Sequence, residues 1–216
     1  MAQTRKADVL IADAEPVTRC GLVHLINSHP LLRVCAEADS VAQARQMCSR
    51  HKPALLVLDA AMSDGFTLIK DLPRWSRRTR VVVFTGLRDA LAVQRAFKAG
   101  ACAFLTRHDP IPALMHALAG ALTGERHVGP CVEHLLLENL ACGTVKMAGD
   151  DMASLSDREL QVFRLLGSGL GTRGVAEELS VSVKTVESHR QRIKEKLKVA
   201  SAAELQRRAV LFQSRA

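Results

Sequence analysis

Asp13, Asp59 and Thr85 stand directly after three short apolar runs, at residues 9–12, 54–58 and 81–84. A single Asp in such a place is most simply a helix cap. Two carboxylates and a hydroxyl repeated at successive strand ends are a ligand-binding signal, because open parallel sheets bind their ligands beyond the carboxyl ends of the strands. A second chemical set lies near the other end of the chain. Lys184, Arg190, Arg192, Lys194, Lys196 and Lys198 are opposed there by only Glu187 and Glu195. At helical spacing, Lys184, Glu187, Ser188 and Gln191 share the face opposite Val183, Val186, Ile193 and Leu197. Cations suit phosphates, and amide or carboxylate groups suit base edges, so this face is built for a nucleic acid.

The elements that position the first set alternate. Strand-sized apolar runs at 9–12, 32–36, 54–58, 81–84 and 103–105 are separated by helical patterns at 16–28, 40–51, 90–99 and 111–122. Five such strands predict a doubly wound parallel α/β sheet. The elements around the second set are all helical. Ser156 and Glu159 form a capping-box pair before the stripe Leu160, Val162, Phe163, Leu166. A short helix then opens at Thr172, a tight turn falls at Ser180 and Val181, and Ser182 caps the longer basic helix. Ser201 caps a last helix reaching Phe212. A short helix, a tight turn and a longer basic helix are the helix-turn-helix arrangement. The implied organisation is a sheet domain over 1–124, a linker with a short helix (132–140) and a tether (142–153) over 125–153, and an all-α helix-turn-helix domain over 154–216.

Composition narrows the partners. The formal charge is +8, and Lys and Arg exceed Asp and Glu both before Gly124 and after Leu155. The stretch between is acidic, with Glu125, Glu133, Glu138, Asp150 and Asp151. A basic protein favours polyanions. No apolar run approaches the ~20 residues of a membrane span, and the N-terminus shows no signal-peptide pattern, which predicts a cytoplasmic protein. Cysteines 20, 35, 48, 102, 131 and 142 lack zinc-ligand spacing and are expected to be reduced, mostly buried thiols. Aromatic residues are 3% with no Tyr, which argues against a stacking platform for single-stranded nucleic acid.

The segments LSDRELQVFRLL, GVAEELSVSVKTVESHRQRIKEKL and SAAEL closely resemble the DNA-binding domain of LuxR-type (NarL/FixJ-type) regulators. The resemblance implies a recognition helix in the major groove and a last helix that can dimerise. Glu187, Ser188 and Gln191 are then the candidates for base contact, and Lys184, Thr185, His189, Arg192 and Lys194 for phosphate contact. Arg190, near the apolar stripe, is expected to form a salt bridge to a neighbouring helix such as that of Glu159. Leu205, Ala209 and Phe212 are open to either a two-fold interface or a core role. Gly174 and Lys198 depart from the family pattern; glycine is usual at the latter, which predicts strain in the turn there.

VLIADAEP, LVLDAAMSDG, VVVFTG and KAGACAFLTR resemble the receiver domain of two-component response regulators. That resemblance implies Asp59 as phosphoacceptor, Asp13 as one of two acids holding Mg²⁺ together with Asp59, Thr85 as the hydroxyl after the fourth strand, Phe104 as the aromatic switch, and a sensor histidine kinase as partner. Three features depart from it. The second acid is replaced by Ala14, with Glu15 next to it expected to point elsewhere. The lysine position holds Arg107. The loop after Asp59 is about two residues short. Loss of a carboxylate predicts weak Mg²⁺ binding at best, and Arg107 is placed to pair with Asp59 and imitate a phosphorylated state. The leading reading is a DNA-binding, homodimeric transcription regulator with an atypical receiver. An ordinary phosphorelay regulator and a module that binds a kinase or other protein stand as alternatives. Outside the pocket there is no nucleophile–base pair or metal-ligand cluster, which argues against an enzyme.

Overall fold

The structure, a computed structural model, describes residues 6–141, 152 and 154–213. Six parallel strands form one sheet: β1 (Ala7–Ala12), β2 (Leu32–Ala38), β3 (Leu55–Leu58), β4 (Arg80–Thr85), β5 (Ala103–Thr106) and β6 (His127–Val128), in the order β2-β1-β3-β4-β5-β6. Period-two alternation divides the strands between two cores. Leu10, Leu56, Leu58, Val81, Val83 and Phe104 face one side; Val9, Ile11, Leu55, Val57, Val82 and Leu105 face the other. The first side is covered by α2 (Val41–His51), α3 (Gly65–Asp71) and α4 (Ala90–Ala99), and Val132 of α6 (Pro130–Ala141) also joins it. The second is covered by α1 (Pro16–Ser28) and α5 (Ile111–Thr123).

The doubly wound sheet is as the alternation predicts, with one strand more than the five expected. β6 has two residues, too few to show a period, and it falls in the stretch assigned to the linker. The gap between strands three and four also contains α3 and a 3₁₀ turn over Leu72–Arg74. α3 buries Gly65, Phe66, Leu68 and Ile69 and leaves Lys70 exposed, but at seven residues it is too short for its period to stand out in the sequence. The linker helix extends over Pro130–Ala141, and the tether at 142–153 lies, apart from Met152, outside the described residues. Of the described cysteines, Cys48 and Cys102 are buried, whereas Cys20 is exposed and Cys35 and Cys131 are half-buried. Fewer are interior than expected.

The chain divides into two compact units, Met1–Leu136 and Leu137–Ala216. The second contains α7 (Asp157–Gly167), α8 (Thr172–Glu178), α9 (Val183–Lys196) and α10 (Ala202–Gln213). Ser156 and Glu159 make the complete capping box at the start of α7. Phe163, Leu166, Val175, Val186, Ile193, Leu197, Leu205 and Ala209 are the core. A Cβ on Gly167 would lie 2.5 Å from the Ala209 carbonyl oxygen, so this glycine lets α7 and α10 approach closely. Leu205 and Ala209 are buried and Phe212 packs on Phe163 with ring centroids 5.7 Å apart, which assigns these three to the core. Val210 and Leu211 are the exposed apolar residues of α10.

Candidate functional site

Four strand ends converge on one pocket. The Asp13 amide donates to Ala38 O and the Asp59 amide to Ala12 O, which carries both aspartates out at the top of the sheet. The Arg107 amide donates to Thr85 O at the end of the β4–β5 pairing. Asp13, Asp59 and Thr85 are each buried. Thr85 Oγ1 donates to Asp59 Oδ1 at 2.5 Å, and the Ala61 amide adds a bond to the same oxygen at 2.9 Å. Phe104 lies wholly inside the core below.

Arg107 closes the pocket. Its Nη2 lies 2.9 Å from Asp59 Oδ2 and 3.1 Å from Asp13 Oδ2, and Nη1 lies 2.5 Å from Glu15 Oε1. One guanidinium therefore bridges three carboxylates, using both terminal nitrogens of its planar fork. The pairing of Arg107 with Asp59 is as expected; its pairing with Glu15 is not. Glu15, expected to point away, lies at the mouth of the pocket just before α1, where the exposed end of the guanidinium reaches it. Ala14 is exposed and supplies no ligand. The electrostatics follow the geometry. Burial pushes the Asp13 carboxyl up, an effect that the Glu15 amide and Arg107 reduce but do not reverse. The hydrogen bond from Arg107 holds the Glu15 carboxyl down. The Arg107 Nε is buried and makes no hydrogen bond.

The second set lies on α9. Ser182 caps it, accepting from the Thr185 amide at 3.1 Å, and its hydroxyl lies 2.8 Å from that of Thr185. Val186 and Ile193 are buried, which turns Lys184, Thr185, Glu187, Ser188, Gln191 and Arg192 to the solvent, with His189 and Lys194 half-buried at the margin. The Ser188 hydroxyl donates to Lys184 O and the Gln191 amide donates to Glu195 Oε1. Burial, with the Arg158 and Arg192 guanidinium groups nearby, holds the His189 imidazole below its ordinary range.

Contacts other than those expected from the sequence hold α9 against its neighbours. Lys196 Nζ pairs with Glu159 Oε2 at 2.6 Å, taking the acid expected for Arg190. Arg190 instead donates to Thr172 Oγ1 at the start of α8. Arg158 Nη2 donates to Leu179 O at 3.0 Å, fixing the turn between α8 and α9. Glu159 was signalled by its place in the capping box. Its partner depends on how α7 and α9 cross, which spacing along one helix does not encode.

Residues 9–119 match the response regulator receiver domain, and residues 153–209 match the luxR family of bacterial regulatory proteins. Over 202 residues the chain is 30% identical to the transcriptional activator protein ExaE of Pseudomonas putida, covering 91% of this chain and 92% of that one. It is 29% identical over 204 residues to the oxygen regulatory protein NreC of Staphylococcus epidermidis, covering 91% and 94%. The RcsB response regulator of Salmonella typhimurium shares the fold, with a TM-score of 0.68 at 22% identity over 96% of this chain and 98% of that one. The chain belongs to the two-component response regulators that join a receiver domain to a LuxR-type DNA-binding domain, and it is a transcription regulator. Among the described residues no helix is long and apolar enough to cross a membrane.

Proposed function

We propose that this regulator is controlled through the Arg107 cluster, without metal-dependent phosphorylation of Asp59. The observation that carries this reading is the single guanidinium within 3.1 Å of oxygens on both Asp13 and Asp59. Mg²⁺ requires near-octahedral oxygen ligation, and the residues present do not fit it. Ala14 offers no oxygen, Glu15 is engaged by Arg107, and the two remaining carboxylates already share a cation. Acceptance of a phosphoryl group relies on such a metal and on a cation free to meet the incoming oxygens. With both functions displaced, the pocket holds no cofactor, and the buried ion pairs hold the strand ends in one arrangement, as a phosphoryl group would.

The output is sequence-specific duplex DNA binding by a cytoplasmic homodimer, not an enzymatic reaction. Glu187, Ser188 and Gln191 read base edges; Lys184, Thr185, His189, Arg192 and Lys194 contact phosphates. The RcsB structures include a complex with DNA, which supports this use of the fold. One observation favours the alternative of a kinase-driven phosphorelay: Asp59 is retained, with Thr85 Oγ1 2.5 Å away.

Incubation with acetyl phosphate and Mg²⁺, followed by mass spectrometry, separates the two. Asp59 is expected to remain unlabelled, and Asp59→Asn to leave DNA affinity within about twofold. Near-stoichiometric labelling with a large gain in affinity, abolished by Asp59→Asn, would establish the phosphorelay instead.

A further inference from the structure

The turn that carries Arg107 into the pocket also carries a third buried aspartate, Asp109, whose partners lie outside the pocket. Thr106 to Asp109 form one hydrogen-bonded turn: the Asp109 amide donates to Thr106 O, and the His108 amide donates to Thr106 Oγ1. Asp109 is buried, and its Oδ2 accepts from the Thr106 amide at 2.7 Å and from Thr106 Oγ1 at 2.9 Å. Its other oxygen leaves the turn and accepts from the Cys131 amide at 2.8 Å, in the first turn of α6.

This bond is a helix cap supplied from 22 residues away. The residue before α6 is Gly129, which has no side-chain oxygen to cap with, although Ser, Thr, Asp or Asn is the usual choice. A Cβ on Gly129 would lie 2.3 Å from Asp109 Oδ2. The carboxylate therefore occupies the space a local cap would fill. The Gly129 amide is bonded to Phe104 O, and Val132 is wholly buried, so the helix start is also seated on the sheet. Asp109 adds the link to the pocket turn. Burial opposes its ionisation, but the amides of Cys131 and Thr106 outweigh that and hold it below the usual carboxylate range. The helix start is thus capped by a charge, which its dipole favours.

We propose that Asp109 is a latch that transmits the state of the Arg107 pocket to the connector helix α6, the segment in which the first unit ends and the second begins. The proposal rests on the reading of the Arg107 cluster as the controlling element and gives that cluster an outlet. Displacing the Arg107 side chain frees the turn from the pocket, and the carboxylate that caps α6 moves with the turn.

The test is residue-resolved hydrogen exchange on the full chain, which needs neither DNA nor a phosphodonor. Its outcome is therefore distinct from that of duplex-binding and labelling experiments on the unmodified protein. Arg107→Ala is expected to speed exchange of the Cys131 amide at least tenfold, while the Ile26 amide on the opposite face of the sheet serves as the control. In the Asp109→Ala/Gly129→Ser chain, the serine enters the vacated space and caps α6 locally. There, Arg107→Ala should change Cys131 exchange by less than twofold. If the double substitution does not fold, Asp109→Asn supplies the same comparison, since one amide oxygen cannot serve both Thr106 and Cys131. An unchanged Cys131 amide in Arg107→Ala, or equal acceleration in latched and unlatched chains, overturns the proposal.

Discussion

Lys198, just past the end of α9, has φ at 52°, in the left-handed region where a side chain crowds its own backbone. It donates to Glu195 O while Val199 donates to Lys194 O, so the turn cannot relax without losing the helix end. The strain expected from the missing glycine is present. Lys198→Gly should stabilise the DNA-binding unit by about 1 kcal/mol, raising its melting temperature by roughly 4–8 °C; a lower melting temperature would show that the lysine contributes contacts that outweigh the strain. Glu159 gives a prediction in pH. Burial alone would raise its carboxyl, but the Lys196 ammonium and the Ser156 amide outweigh it and hold the group below its ordinary 4.5. The folded state therefore binds this proton more weakly than the unfolded chain. The contribution is fully present above pH 4.5 and disappears as pH falls through the lower folded value. Glu159→Gln should flatten the acid side of a melting-temperature profile, and parallel losses in parent and variant would assign the acid sensitivity elsewhere.

At the scale of elements, α9 was the most legible part of the chain. Ser182 marks its cap, and the burial of Val186 and Ile193 and the exposed face follow from a 3.6-residue period over 14 residues, whereas Val183, expected on the apolar stripe, is 41% exposed. The same face sets two distinct expectations. Lys184→Ala should weaken binding to all duplexes alike, whereas Glu187→Ala should alter base preference, since a base-edge pair discriminates by about 1–3 kcal/mol. Selection of binding sites from a random pool checks this; the same motif for Glu187→Ala and the parent would remove Glu187 from the reading set. The strand ends carrying Asp13, Asp59 and Thr85 were equally legible, because buried parallel strands are continuous apolar runs. α3 and β6 were not. One is seven residues long and the other two, so neither is long enough to leave a clear period. The pocket was half legible for a similar reason. Arg107 could be placed at the pocket through the receiver resemblance, but the reach of Glu15 back to it depends on how α1 enters, which no pattern in the segment specifies.

For the whole molecule, the net charge of +8 and the basic face of α9 require that affinity for duplex DNA fall steeply with salt. The slope should be about −0.9 in log K per phosphate neutralised, and a footprint should show two half-sites about 34 Å apart if the protein binds as a symmetric pair. A flat salt response, or equal affinity for single strands, would count against the interface on α9. The edges of the sheet carry a different consequence. An edge strand offers unpaired backbone groups on which another copy can extend the sheet. Here one edge ends in β6, too short to template a partner, and the other in β2, which bears exposed Arg33 and Glu37 and an ion pair between Arg33 and Asp8. Length protects one edge and charge the other. Many copies can therefore be concentrated side by side along a promoter without the strand-to-strand polymerisation that leads to fibres.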